Sequence, residues 1–433
     1  MKKLHIKASA LLIIGSLILS GCSNGNTNSE NTTTDNSANE ETASNLRPIS
    51  EIHSNISEET QSVLEKEFDN ITFSENFFVK FPDISEIYTF NSKGQPMSTS
   101  DAYDYFDKCF DAFFGDIYDE EDKKELYRVM GIGVQDDSKT YPFDNPACHD
   151  YMDEIRNNEF VPQFLLYGDK NGYLQVQPAG GTMVFRNNLA ELDNHDRNTP
   201  AMYFVAPSHK TVESIKIGSD NIDMNKKYQL MDGEISLADA VAFAENFLNN
   251  DLKVNGSQYV TVVSDIYVMD MREGKYSLSM SITQAYKGVP FDAADMEGKG
   301  GAFSSSPSSD GKEYDDMPGQ VLLMNTDMLE YAAGTNYLRI LDNIQTYTEI
   351  ISFEDAIDIM SESVSGALNF EASCAEFVYT SYSDTDADGN TLKYNCPSWK
   401  LTAYNPLDTK TYCMYVNAIN GDFHYYTFNK GVS

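Results

Sequence analysis

Three times the chain writes one short phrase, and that phrase fixes where helices must start. Met97-Ser98-Thr99-Ser100-Asp101-Ala102-Tyr103, Ile235-Ser236-Leu237-Ala238-Asp239-Ala240-Val241 and Ile351-Ser352-Phe353-Glu354-Asp355-Ala356-Ile357 share an apolar residue, Ser, two variable positions, Asp, Ala and a bulky apolar residue. Serine is a strong N-cap, because its hydroxyl accepts from an early backbone N–H that the helix leaves without a partner. The Asp three residues on can reach back to the cap's own N–H and favours the positive helix end, and the apolar residue before the Ser can close a hydrophobic staple. The residues after each phrase have helical periodicity. Ala102, Tyr103, Phe106, Phe110, Phe113 and Phe114 share one face, as do Leu237, Ala240, Val241, Ala244, Phe247 and Leu248, and then Phe353, Ala356, Ile357, Met360 and Val364. An aromatic stripe at that spacing belongs to a core, so the phrase predicts architecture and carries no chemistry.

Between the helices the period changes from 3.6 to 2. Ser57 to Phe68 reads as a short helix, Ile71 to Phe90 as strands interrupted by Pro82, and about 120–130 as a charged helix. Strands are expected at 161–167 and 173–177 around Gly168-Asp169-Lys170-Asn171-Gly172, and at 182–186, 202–206 and 212–217. After the second phrase come 259–271 and 275–286, then a Gly- and Ser-rich loop over 297–319, then 320–324 and 328–333. That loop suits either a lid over a site or simple disorder. After the third phrase, strands are expected at 375–382, 392–394, 398–404, 411–418 and 423–428. The unit is a helix followed by an antiparallel meander, and the second and third copies, at Ile235 and Ile351, lie 116 positions apart. That interval is too long for a solenoid and suits a repeated domain.

The amino terminus is read differently. Lys2, Lys3 and Lys7 precede an apolar run from Ala8 to Leu19, which meets Leu19-Ser20-Gly21-Cys22. The run is short for a membrane span and meets polar residues without a stop-transfer pattern, so it is expected to be cleaved. In these residues the chain resembles bacterial lipoproteins at their lipobox. The resemblance implies cleavage before Cys22, a thioether-linked diacylglyceryl group on that cysteine together with the palmitate typical of such anchors, and residence on the extracellular face of the cell membrane. Two acyl chains suffice for stable anchoring, at about 0.8 kcal/mol per buried methylene. Residues 22–50, rich in Asn, Ser, Thr and Glu, bury too little to offset ordering entropy and are expected to be a disordered tether.

Removal of residues 1–21 takes three lysines and no acid, so 31 Lys and Arg become 28 against 67 Asp and Glu, a net charge of −39. Such a surface repels nucleic acid and anionic lipid, and suits solubility, divalent cations or a basic partner. The remaining cysteines, Cys109, Cys148, Cys374, Cys396 and Cys413, are odd in number and contain no CxxC. Cys396 and Cys413 are the best candidate pair, with buried thiols the equal alternative.

A second resemblance rests on the third phrase, on Pro397-Ser398-Trp399-Lys400-Leu401, on Val416-Asn417-Ala418-Ile419-Asn420-Gly421-Asp422-Phe423, and on Tyr286-Lys287-Gly288-Val289-Pro290. These are similar to PepSY-type extracellular modules, although Asn417 and Asn420 stand where that family carries Asp and Thr. The resemblance implies helix-on-sheet packing, binding or regulatory roles including peptidase inhibition, and no catalytic residues. The expected fold class is therefore α+β: repeated helix plus antiparallel-sheet modules behind the tether. The divisions are 1–21 signal peptide, 22–50 tether, 51–228 N-terminal α+β domain, and PepSY-like domains at 229–345 and 346–433.

Few stretches offer chemistry. Asp384, Asp386 and Asp388, before Gly389, match the opening of a calcium loop, but position twelve is Asn395 where a bidentate Glu belongs. An acidic hairpin turn explains the same residues. Cys148-His149-Asp150 holds nucleophile, base and acid types, yet neighbours in sequence do not set side chains in catalytic geometry. His53, His195, His209 and His424 show no paired metal-ligand spacing, and there is no HExxH, Walker loop, GxGxxG or GxSxG. Trp399, the one tryptophan, suits a core or a sugar platform. The sequence thus points to an anchored, non-catalytic module for another envelope protein, with capture of peptide or glycan in an interdomain cleft as the alternative, and an envelope hydrolase as a third possibility.

Overall fold

The computed structural model describes residues 46–94, 97–119, 128–130, 164–169, 171–176, 182–186, 211–219, 222–271, 273–292, 306–307, 313–314, 319–333, 339–364, 368–385 and 391–429. The chain opens with β1 (Leu46–Pro48), α1 (Ile49–Glu65), β2 (Ile71–Lys80), β3 (Ile87–Gly94), α2 (Thr99–Phe114) and β4 (Arg128–Met130). Next come β5 (Phe164–Asp169), β6 (Gly172–Val176), β7 (Thr182–Arg186), β8 (Thr211–Lys216), β9 (Lys227–Gln229), β10 (Glu234–Ser236) and α3 (Leu237–Asn250). The middle continues with β11 (Val260–Asp270), β12 (Tyr276–Tyr286), β13 (Val289–Pro290), β14 (Ser306–Pro307), β15 (Glu313–Tyr314), β16 (Gly319–Leu323) and β17 (Leu329–Ala333). The last part holds β18 (Arg339–Tyr347), β19 (Glu349–Ile351), α4 (Phe353–Ser363), β20 (Phe370–Thr385), β21 (Thr391–Asn405), β22 (Lys410–Asn417) and β23 (Phe423–Asn429).

All three phrases open helices as their chemistry requires. The hydroxyls of Ser98, Ser236 and Ser352 accept from the backbone N–H of Asp101, Asp239 and Asp355 at 3.1, 3.1 and 3.2 Å. Each also donates to Oδ2 of the same aspartate at 2.6 Å, so the carboxylate answers the serine hydroxyl. The third cap has a further support in α1, where Glu59 Oε2 accepts from the Phe353 N–H at 3.0 Å.

Two large sheets carry the fold. The ten-stranded sheet runs β4-β5-β6-β7-β17-β16-β12-β11-β8, with β13 paired to β12. Helices α2 and α3 cover one face of it, with Phe113 against Phe247 edge to face at 5.4 Å and the Tyr105 hydroxyl donating to the Leu252 carbonyl at 2.9 Å. Its core gathers Phe106, Phe110, Phe114, Leu165, Leu174 and Val184 with Leu237, Ala244, Leu248, Ile266 and Leu278. The seven-stranded sheet runs β18-β3-β21-β20-β2, and β22 pairs both with β21 and with β23. α1 and α4 lie over it, burying Phe353, Ile357 and Met360 against Phe377, Trp399, Leu401, Met414 and Val416.

This architecture corrects the expected fold class. The described chain is predominantly β with four helices, and the repeated helix-plus-sheet modules are not present as such. The strands after the first and second phrases merge through the β7–β17 pair, Tyr331 opposite Phe185 and Ala333 opposite Met183, into one sheet. The sheet after the third phrase is completed by strands from far upstream: β2 pairs in parallel with β20, and β3 with both β21 and β18. The physical reason is edge satisfaction, since a four-stranded meander leaves open edges that the rest of the chain supplies. Residues 1–45, including the expected signal peptide, Cys22 and most of the tether, lie outside the described residues. The last tether positions, 46–50, fold: β1 pairs with β19, and Ile49 is 1% exposed. Residues 120–127 of the expected charged helix are also outside, while 128–130 are strand. Among the described residues no helix is long and apolar enough to cross a membrane.

Candidate functional site

Each strand of the seven-stranded sheet presents alternate residues to opposite faces. On β21, Trp399, Leu401 and Ala403 enter the core under the helices, which leaves Ser398, Lys400 and Thr402 on the other face. β20 adds Cys374, Glu376 and Thr380 to that polar face, and β22 and β23 add Tyr415 and Tyr426.

Onto this face the ten-stranded sheet sends Asp292. Val289 and Pro290 pair with Tyr286 and Ala285 of β12, and the chain then crosses to the other sheet, where Phe291 bridges to Tyr379 in parallel. The Asp292 N–H donates to the Tyr379 carbonyl at 2.8 Å, and the Thr283 hydroxyl donates to the Phe291 carbonyl at 3.0 Å. One short segment is thus held by both sheets. Its carboxylate receives Lys400 Nζ at 2.6 Å on Oδ1, and the hydroxyls of Tyr415 and Tyr426 at 2.5 and 2.9 Å on Oδ2. Glu376 Oε2 lies 3.8 Å from the same ammonium. Lys216, at the end of β8, points its Nζ at Cys374 Sγ, 3.4 Å away.

Lys400 and Asp292 are 3% and 4% exposed. Burial would lower the Lys400 ammonium, but Asp292, with Cys413 and Glu376 beyond it, outweighs burial and holds it well above the usual lysine value. Burial likewise opposes the Glu376 charge, and the lysines Lys400, Lys216 and Lys80 overcome it and keep that carboxyl below the usual range. The phenols of Tyr415 and Tyr426 are pushed far up by burial and then by the Asp292 charge, so both stay protonated and donate. The arrangement is therefore a closed set of charges and donors that spans two sheets. Chemically it can lock one sheet onto the other; Lys400, engaged by Asp292, is no nucleophile at neutral pH.

The residues singled out in the sequence lie elsewhere. Cys22, Cys148, His149, Asp150, His195, His209, Asp386 and Asp388 are outside the described residues. Asp384 is in β20, its backbone opposite Leu392, and the ladder continues to Thr385 opposite Thr391. Among the described residues no group of three or more His, Cys, Asp or Glu is placed to hold a metal ion. His53 lies 3.6 Å from the exposed Asp83, and His424 stacks on Tyr415 at 4.8 Å. Cys109, Cys374, Cys396 and Cys413 are buried thiols. Cys396 and Cys413 do sit on neighbouring strands, but Cys413 is opposite Thr402, six residues along β21 from Cys396, so they are not the pair that the sequence suggests. Trp399 is a core residue, fully buried, with its indole N–H donating to the Ile351 carbonyl at 2.9 Å.

Asp292, Lys400, Glu376 and Lys216 escaped sequence reasoning. Ser398-Trp399-Lys400-Leu401-Thr402 alternates like a strand with one wet face, and nothing local says that a second sheet covers it. The usable signal was Lys400 itself, flanked on its own face by the small residues Ser398 and Thr402, which leave room for a partner.

No family model matches the chain, and no curated protein matches it. Among solved structures it is similar to the crystal structure of an uncharacterized protein from Eubacterium rectale, with 10% identity and a TM-score of 0.48, over 85% of this chain and 98% of that chain.

Proposed function

We propose that the protein is a lipid-anchored module on the extracellular face of the membrane, acting without catalysis as a binding or regulatory partner of another envelope protein. The observation that carries the non-catalytic reading is the closure of the Asp292 cluster. Lys400, Asp292, Tyr415 and Tyr426 spend their charges and hydroxyls on one another, and none is turned to an incoming substrate. The anchor rests on the lipobox at Cys22, and the acidic chain favours a basic face on the partner. The test is brief cross-linking of the lipidated protein in native membranes, gentle solubilisation and affinity capture, with Cys22→Ala as control. One recurrent envelope protein that is lost with Cys22→Ala supports the proposal. Copurifying peptide or glycan with no protein partner would replace it with ligand capture.

A further inference from the structure

Lys216 and Cys374 meet where the edge strand of one sheet touches the centre of the other. Lys216 is the last residue of β8 and pairs with Asp265 of β11, while Cys374 lies in β20 opposite Thr402, 158 residues away in sequence. A lysine ammonium has three donors and commonly finds a carboxylate. Here, among the described residues, the Cys374 sulfur at 3.4 Å is its hydrogen-bond acceptor, and Glu376 and Asp265 act on it only through their charge. Cys374 is 1% exposed, so thiols in solution have no easy approach to it, while dioxygen is small, apolar and able to enter a packed interior.

We propose that Lys216 and Cys374 are a modification site, at which dioxygen joins them through a single oxygen atom as an N–O–S bridge. The balance is one ammonium, one thiol and one dioxygen giving R–NH–O–S–R′, one water and one proton. Two N–H bonds and the S–H bond break, and N–O and O–S bonds form. Nitrogen and sulfur each give up two electrons, and the four electrons reduce both oxygen atoms. One of these stays in the bridge and the other leaves as water with two of the displaced hydrogens, the third being released as the proton. The 3.4 Å contact is a hydrogen-bond distance, and closing an oxygen-spaced link draws nitrogen and sulfur together by less than a direct N–S bond would. The bridge would tie β8 covalently to β20 beside the Asp292 cluster, and it does not depend on the proposed anchoring or partner.

The test is intact-mass and peptide mapping of the full chain, prepared with and without air and without reductant. The expected result is a gain of one oxygen with loss of two hydrogens in air only, and a linked pair of peptides holding Lys216 and Cys374. A thiol reductant should separate them and return the amine and the thiol. Lys216→Arg keeps the charge and should leave Cys374 fully alkylatable after denaturation in air; should that variant fail to fold, the comparison of the natural chain with and without air decides alone. Complete alkylation of Cys374 in the aerated natural chain, normal tryptic cleavage at Lys216, or Cys374 found in a disulfide would each overturn the proposal.

Discussion

Replacing Lys400 with methionine isolates what holds the two sheets together. The side chain keeps its length and loses its charge, in a site where Lys400 and Asp292 side chains are 4% and 5% exposed. At 2.6 Å the pair attracts by about 6 kcal/mol with an effective dielectric of about 20, and much of that is offset by the desolvation of both ions. Deleting one partner alone leaves the other buried and charged, which costs about 3–5 kcal/mol in comparable pairs. Asp292 keeps the Tyr415 and Tyr426 donors, so the lower end, about 3 kcal/mol, is expected. The assay is urea unfolding followed by fluorescence of the sole tryptophan, Trp399, which sits one residue from Lys400 on the opposite face, and in parallel by far-ultraviolet circular dichroism. Adding Asp292→Asn to Lys400→Met removes the stranded charge while retaining an acceptor for the tyrosines, and should recover at least about 1 kcal/mol as a coupling between contacting residues. A loss below about 1 kcal/mol in the single variant, or strict additivity in the double, would show that the cluster is not closed as described.

Serine caps give a second set of outcomes. Ser236→Ala and Ser352→Ala should each destabilise by about 1 kcal/mol in urea unfolding, because each loses both the accepted N–H and the hydroxyl donated to Asp239 or Asp355. Glu330 offers the opposite sign. It is fully buried on β17 with Oε2 lacking a partner, and burial raises its carboxyl from 4.5, with Asp232 and Asp327 adding to the rise against Asn325 and Arg186. The folded state therefore binds the proton more tightly than the unfolded one, and stability falls as pH rises from about 4.5 through the folded value. Glu330→Gln should equal or exceed the natural chain in stability at pH 7 and lose that advantage near pH 4.5; a variant less stable at pH 7 would refute the assignment. Glu376 runs the other way, since its folded value is depressed: its contribution is present above 4.5 and is lost as pH falls through the folded value, a loss that Glu376→Gln should abolish in acid titrations of stability.

Helix starts were legible because a cap is local. Ser98, Ser236 and Ser352 need only their own next three residues to form, so position in the chain is irrelevant to them. Most strands were legible for the same reason, through period-2 runs such as Thr182–Arg186, which the structure forms at those bounds. Sheet membership was not legible. Whether β3 pairs with a neighbour in sequence or with β18 and β21, more than 240 residues on, depends on which open edges face each other after collapse, and no local pattern encodes that. The polar face of β21 fails for a related reason. Lys400 looks solvated from its neighbours alone, and only the arrival of Asp292 by way of β12 and β13 turns it into an interior residue.

That arrival also explains why the ion pair is tolerable. A buried pair replaced by apolar residues often loses nothing, so the pair is poor evidence of stability for its own sake. Its value lies in specificity. Segment 289–292 carries Phe291, which packs on Phe90 and Tyr379 at 6.1 and 5.6 Å, and an aromatic contact of this kind tolerates sliding along the sheet. Asp292 does not tolerate it, because one carboxylate must meet an ammonium on one oxygen and two hydroxyls on the other. A shift of one residue would put Asp292 on the wrong face and strand Lys400 without a partner, so the cluster sets the register in which the two sheets meet. A Lys400→Met, Asp292→Leu chain should therefore stay folded and yet lose uniqueness at this joint, seen as broadened side-chain NMR signals from Tyr415 and Tyr426 with little change in circular dichroism. Sharp, single signals from those tyrosines would show that apolar packing alone fixes the register.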